Sequence, residues 1–478
     1  MKSLFKLYKI TKDMSRGLKK FFVYCLVIVS FVTGYLFCED MFLSACIDIG
    51  IRNNKMLQVK KEAIELSRRE LLAATREFLP MVILQRRISR GKTIQEEYQA
   101  EDLWIRAMQR LYEGGRLSAL HRYYSLAVDK AKTEYIEVKE ELVSQIKQAY
   151  YQYVGAVVEE MEIGKLLEDI ENYYKILSKE FNAKAISELE FNEGKNFRDK
   201  VENFYIKANK NKLLYERQLL VLLNIEKIKD IPYPVSGYII SSPLKEITYN
   251  LEELKKLTVI NNPKLKKLKL ELEMNQQKRK VAMSKGKPKF FFEGSYGRSG
   301  EAYVTEPLEL ATVWSGMIRL VWTFGGSSLE SSYHEEHSIP REILDVSQRI
   351  DNKILDVKIG LFDDLRYFVE KKEAEVSKSY AEAEYQRLYN EIMFNLEKSY
   401  YDYYLSLLDT KVAHQDYEIK KWRLEVVKRQ REVYAATTLD VMSAMYSFSE
   451  ALTTYTKSVV QNYVAVSQLE MLVLLPLR

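Results

Sequence analysis

The sequence predicts a mostly α-helical chain with transmembrane β-strands, built from a helix, strand, strand, long helix, turn, helix unit that is written twice. Three observations predict it: internal matches that stay in order, proline-free stretches with an apolar period of three and four, and short period-two segments ending in paired glycines. LSACIDIGIRNN from Leu43 and LEELKKLTVINN from Leu251 lie 208 residues apart, as do Asn54 and Asn262, and Pro80 and Pro288. The shift becomes 211 where Gly114-Gly115 matches Gly325-Gly326. It becomes 250 where KQAYYQY, ending at Tyr153, matches EKSYYDY, ending at Tyr403. Ordered offsets of this kind mean duplication, with a three-residue loop change and an insertion of about 39 residues after Gly326.

The strand prediction is clearest in residues 314–326, WSGMIRLVWTFGG. Trp314, Gly316, Ile318, Leu320, Trp322 and Phe324 share one face, and Ser315, Arg319 and Thr323 the other. About eleven residues suit a tilted membrane strand, and Trp314 and Trp322 near its ends suit the aromatic girdles at the two interfaces. A weaker copy, DLWIRAMQRLYEGG, ends at Gly115. The partner strands begin at the matched prolines. Phe290, Phe292, Gly294 and Tyr296 form one face in the second copy, and Val82, Leu84, Arg86 and Ile88 in the first. A lipid-facing arginine costs roughly 2–4 kcal/mol at mid-depth, so Arg86 belongs near an interface or in a shifted register; Gln109 raises the same question. The polar residues 91–101 and 297–310 read as loops joining each strand pair.

The helices follow from absence and period. No proline lies between Pro80 and Pro232 or between Pro340 and Pro476. Leu142, Ile146, Ala149, Tyr153 and Ala156, and likewise Ile392, Leu396, Tyr400, Tyr403 and Leu407, form seams for packing on other helices. The helix from Arg116 to about Ala183 is on the order of 100 Å long. Ser187 with Glu190, and Thr437 with Asp440, have the spacing of capping boxes, so each long helix reverses there and runs back.

The formal charge of +6 is accounted for by residues 1–20, so the rest of the chain sums to zero and composition gives no argument for nucleic-acid binding. This basic leader runs into the apolar residues 21–37, the layout of an export signal cleaved near Cys38 or, alternatively, of an uncleaved anchor. Cys25 lies in this segment and Cys38 at its end, which leaves Cys46 unpaired, and no disulfide framework can be built on it. Leu43-Ser44-Ala45-Cys46 has the form of a lipidation box. Against that reading, the repeat sets Cys46 opposite Leu254, a helix core position. The expected organisation is residues 1–38 as signal or anchor, 39–225 as first repeat, 226–250 as linker and 251–478 as second repeat. Strands are expected at about 81–88, 103–111, 289–296 and 314–324, the insertion at about 327–365, and helical tips at about 181–190 and 431–440.

In the order and repetition of these features the chain resembles the TolC-like outer-membrane efflux proteins. The features are the NN-terminated opening helix, the proline at the first strand, the strand ending in GG, the YYxY seam and the [ST]xx[DE] tip. The resemblance implies a homotrimer in which each chain gives four strands to one twelve-stranded outer-membrane β-barrel, continued by a periplasmic α-helical barrel. It implies an outer-membrane location in a Gram-negative-type bacterium. It also implies docking, through the tips, to a periplasmic adaptor and an inner-membrane pump, as the outer component of a tripartite efflux or type I secretion system. The aperture motif of the family corresponds here to Asp440-Val441-Met442-Ser443-Ala444, so Asp440 keeps the first acid and Ser443 replaces the second. The docking tips would include Lys184, Ser187, Glu190, Tyr434 and Thr437. Lys184 and Tyr434 stand where the family usually has glycine.

Chemistry of other kinds finds little support. His334 and His337 are three apart, whereas a metalloprotease helix needs HExxH; HEEH reads as a solvated charged stretch. His121 and His414 have no evident nucleophile partner, and GGSS lacks the GK[ST] ending of a phosphate loop. The expectation is a non-enzyme without cofactor or metal, and without a nucleic-acid partner. The competing reading is an inner-membrane-anchored coiled-coil scaffold or adaptor, which accounts for the helices and leaves the repeated strands unexplained.

Overall fold

A computed structural model describes residues 38–92, 97–226, 246–303, 307–338 and 350–477. The expected export signal and most of the linker lie outside these residues. Helices α1 (Cys38–Asn53) and α2 (Lys55–Arg76) precede strands β1 (Met81–Lys92) and β2 (Glu97–Glu113); α3 (Arg116–Asn182) and α4 (Glu188–Leu223) complete the first copy. The second copy has α5 (Leu251–Asn261), α6 (Pro263–Ser284), β3 (Lys289–Tyr303), β4 (Ala311–Phe324), β5 (Ser327–Ser338), β6 (Ile350–Gly360), α7 (Arg366–Glu432) and α8 (Thr438–Val473). The duplication is visible in length: α3 and α7 each have 67 residues, and α4 and α8 each have 36. No helix among the described residues is long and apolar enough to cross a membrane.

The repeated NN pair has a backbone task. The last carbonyls of a helix have no partner within it. Asn53 Nδ2 donates to the Leu223 carbonyl at 3.1 Å at the end of α4, and Asn262 Nδ2 to the Leu472 carbonyl at 2.9 Å near the end of α8. Asn54 Oδ1 accepts from the Leu57 amide at 3.0 Å and starts α2, while in the second copy Pro263 takes the first position of α6, where a missing N–H costs nothing. Each opening helix is thus broken at its asparagine and tied to the end of the returning helix of its own copy.

The chain divides into two compact units. One holds residues 137–262 and 392–478 with the chain up to Leu57; the other holds residues 58–136 and 263–391. The first is helical. Leu254, Leu396, Tyr403, Leu407, Ala465, Leu469 and Val473 form one of its cores, which realises the YYxY seam of the second copy.

The second unit carries one antiparallel sheet in the order β1-β2-β3-β4-β5-β6. This corrects the expectation of four strands per chain. The insertion after Gly326 is a β-hairpin pair, and the reason lies in the glycines. Gly114 and Gly115 have φ of 62° and 89°, and Gly325 and Gly326 have 55° and 80°. In the first copy this left-handed pair hands the chain to α3. In the second it forms a two-residue hairpin turn, with Phe324 paired to Ser327, a conformation that glycine adopts freely. HEEH, expected as a solvated charged stretch of the insertion, is accordingly part of strand β5. His334 and Glu336 point to one face, and Glu335 and His337 to the other. The strands also extend through residues 97–101 and 297–303, which their polar composition assigned to loops, because ladder hydrogen bonds are made by the backbone whatever the side chains.

Arg86 lies in the row Arg86, Leu103, Arg298 and Thr312, two residues beyond the row Leu84, Ile105, Tyr296 and Trp314, and its Nε donates to Glu101 at 2.8 Å. It therefore sits past the tryptophan row at the loop end of the sheet. The Gln109 amide donates to the carbonyls of Phe78 and Arg110 beside a bulge at Arg110/Tyr112.

Replacing Asn262, 3% exposed, by alanine strands the Leu472 carbonyl. It should cost about 1–3 kcal/mol, read as a lowered midpoint of thermal unfolding by circular dichroism. Lys256→Ala on the exposed side of α5 should leave the midpoint unchanged.

Candidate functional site

The two tips are built alike. α3 ends at Asn182 and α4 begins at Glu188; α7 ends at Glu432 and α8 begins at Thr438. Both capping boxes are closed in both directions. The Glu190 amide donates to Ser187 Oγ at 3.2 Å, and Glu190 Oε2 accepts from the Ser187 amide at 2.7 Å and hydroxyl at 2.8 Å. The Asp440 amide donates to Thr437 Oγ1 at 3.0 Å, and Asp440 Oδ2 accepts from the Thr437 amide at 2.8 Å and hydroxyl at 2.7 Å. Lys184 and Tyr434 both occupy the left-handed region, with φ of 58° and 59°. A residue with a Cβ is strained there by roughly 1–2 kcal/mol, which is the physical reason glycine suits these two positions. Tyr434 is 87% exposed and lies under the Arg431 guanidinium, 5.7 Å from the ring centroid.

A polar link missed by sequence reasoning joins the tips. Arg431 Nη2, near the end of α7, donates to Glu180 Oε1 near the end of α3 at 2.7 Å and to Thr438 Oγ1 at 3.1 Å; the Thr438 hydroxyl donates to the same Glu180 oxygen at 2.8 Å. Beneath it, Leu177, Val441, Met442 and Met445 pack in one apolar cluster with Ile170 and Val201. The link has no counterpart at the duplicated positions, because Phe181 stands where the repeat would need a second arginine; Phe181 stacks instead on Phe191 at 4.6 Å.

Asp440 is exposed and Ser443, one turn on, is half-buried. The Thr437 hydroxyl and amide hold the Asp440 carboxyl below the usual carboxylate range. A depressed folded-state value means that the cap contributes stability above the unfolded value of about 3.9 and loses it as pH falls through the lower folded value. Glu190 is shifted in the same direction by Ser187, its backbone amide foremost.

On the sheet, Trp314 and Trp322 sit near opposite ends of β4, roughly 27 Å apart along the strand at about 3.4 Å per residue. Trp314 stacks on His337 at 6.3 Å, and Trp322 Nε1 donates to the Gly286 carbonyl at 3.2 Å. Between them Phe290, Phe292 and Ile318 are exposed on one face. The other face is polar and cross-linked: Ser295 to Ser315 at 2.6 Å, Arg319 to Glu330 at 3.6 Å and Arg106 to Glu293 at 3.7 Å. Cys46 is fully buried within α1, and burial pushes its thiol up to about 11. Among the described residues no group of three or more His, Cys, Asp or Glu is placed to hold a metal ion.

No family model matches the chain, and no curated protein does. Solved structures do. A membrane protein from Pseudomonas aeruginosa aligns with a TM-score of 0.70 at 15% identity, over 90% of this chain and 93% of that one. The Campylobacter jejuni CmeC outer membrane channel aligns at 0.68 and 16% identity, over 90% and 85%. The open state of the Neisseria gonorrhoeae MtrE outer membrane channel aligns at 0.70 and 12% identity, over 91% and 90%. The resemblance read from the repeated sequence pattern is therefore borne out at the level of fold.

Arg431→Met should loosen the joined tips by roughly 1–2 kcal/mol, since the pair is three-quarters buried and so worth more than a surface ion pair. Faster amide hydrogen exchange at residues 180–182 and 432–438, with residues 392–410 unchanged, is the expected result.

Proposed function

We propose that the chain is an outer-membrane channel, assembled as a homotrimer, through which solutes are exported by a periplasmic adaptor and an inner-membrane pump docked at the helical tips. The observation that carries this reading is the sheet, with one exposed apolar face bounded by tryptophans, one ion-paired face, and two open edges. In lipid every backbone N–H and C=O needs a partner, so a sheet with free edges can sit in a bilayer only as part of a closed barrel. Six strands with open edges call for further copies of the chain. The likeness in fold to outer membrane channels supports the same reading, and an anchored helical scaffold has no use for such a sheet.

At the tips, the strained and exposed Tyr434, with exposed Val433 and Leu189, supports the docking role. Uncovered apolar side chains, with Tyr434 among them held in a costly conformation, suit a surface that another protein covers. In this reading three copies of Asp440 face the aperture, and Ser443 adds no charge to the field they create. The capping bonds then keep these carboxylates ionised well into the acid range.

Purified protein in planar bilayers should give discrete conductance steps with the mass of a trimer; a non-conducting monomer or dimer would sink the channel reading. Cation selectivity should hold from pH 7 to about pH 5 and fall in Asp440→Asn trimers. Equal reversal potentials for the two proteins would remove Asp440 from the aperture.

A further inference from the structure

The inserted hairpin changes which edges of the sheet are free, and this fixes how copies meet. We propose that β6 of one copy pairs with β1 of the next, so that the hairpin β5–β6, and not β4, forms the seam between subunits. In the proposed trimer the barrel then has eighteen strands. The inference rests on the channel reading and deepens it.

Strand direction is the first argument. Every neighbouring pair in the sheet is antiparallel. With six strands the two edges run in opposite directions, so β6 meets the β1 of another copy in the same antiparallel sense as every other ladder. An odd number of strands would leave a parallel seam.

The faces continue across this seam. Reading the pairings along the sheet places Val82 and Leu84 of β1, and Leu355, Val357 and Ile359 of β6, on the face that carries Ile105, Phe292 and Ile318. Leu84 and Leu355 are 77% and 70% exposed. Pairing β6 to β1 therefore joins two apolar stripes into one belt, as a lipid-facing surface requires.

The stagger of the ladders selects a register. One cross-strand row runs through Met81, Met108, Glu293, Met317, His334 and Ile354. It enters at the first residue of β1 and leaves β6 six residues before Gly360. If the row continues onto Arg87 of the next copy, every side chain stays on its own face and the register advances by six residues per copy. That is roughly 20 Å of rise along roughly 29 Å of circumference, a strand tilt of about 35°, at the lower end of the usual barrel range. This register sets Val82 opposite Ile359, Leu84 opposite Val357 and Arg90 opposite Asp351, with no like charges directly opposed. A slip of two residues either way sets Arg86 or Arg90 opposite Lys353.

The functional consequence is a wider pore. Barrel diameter grows about linearly with strand number, so eighteen strands enclose a passage about half as wide again as twelve do. The barrel segment of the channel would be wider than a four-strand subunit allows.

The test uses the full chain with Cys25, Cys38 and Cys46 replaced by alanine. Leu84→Cys with Val357→Cys, oxidised in isolated membranes, should give covalent dimers and trimers on non-reducing gels, since directly opposed strand residues lie within disulfide reach. Leu84→Cys with Ile318→Cys or Leu320→Cys should give none. Deletion of residues 327–360, joining Gly326 to Leu361, makes β4 the edge strand, and in that shortened chain Leu84→Cys with Leu320→Cys should now give the covalent dimers and trimers that the full chain does not. Cross-links to β4 in the full chain, or no cross-link to β6 in a conducting trimer, would each overturn the seam and leave the channel standing. If the deletion fails to assemble, the cross-links decide. A non-conducting monomer overturns both readings.

Discussion

The structure depends on one constraint: every backbone N–H and C=O removed from water must find a partner. The constraint acts differently in each part of the chain. Along the long helices it is met internally, turn by turn. At the helix ends it is met by side chains, and the sequence places them there: asparagines on the last carbonyls of α4 and α8, Ser187 and Thr437 on the first amides of α4 and α8. In the sheet it is met by neighbouring strands, and there the single chain leaves it unfinished at β1 and β6. In the proposed reading, assembly completes that remainder.

Much of this was legible in the sequence because helix ends and strand faces are local. Period-three-and-four seams, capping spacings and the GG boundaries are all read within a dozen residues, and duplication let each weak signal be seen twice. The hairpin was not legible for a physical reason. In β5, SSLESSYHEEHS, only Leu329 and Tyr333 are apolar on the face shared with Ile318, so no alternation marks the strand; it is held by the ladders of β4 and β6 on either side. β6 has the alternation, in Leu355, Val357 and Ile359, but it lies where the repeat offers no matching segment. The Arg431–Glu180–Thr438 link was out of reach for another reason. It joins residues about 250 positions apart, and nothing near any one of them in sequence points to the others.

Duplication has left the two tips equal in backbone and unequal in side chains. Both carry a closed capping box and a left-handed residue before it, yet the polar link between them is supplied from one direction only: the arginine comes from the second copy and the glutamate from the first. Lys184 and Tyr434 share a conformation while differing in charge and shape. Two loops that began as one sequence thus present different chemistry on the same scaffold.

The glycine pair at the end of β2 and β4 has a consequence for how such sheets can change size. Because its left-handed turn feeds equally into a helix or into a returning strand, a hairpin can be spliced in at this point without altering the pairing of any strand before it or the length of any helix after it. Strands are then gained or lost two at a time, and parity is conserved at each step. Circumference becomes a quantity that evolution, or an engineer, can adjust in fixed increments at a two-residue joint.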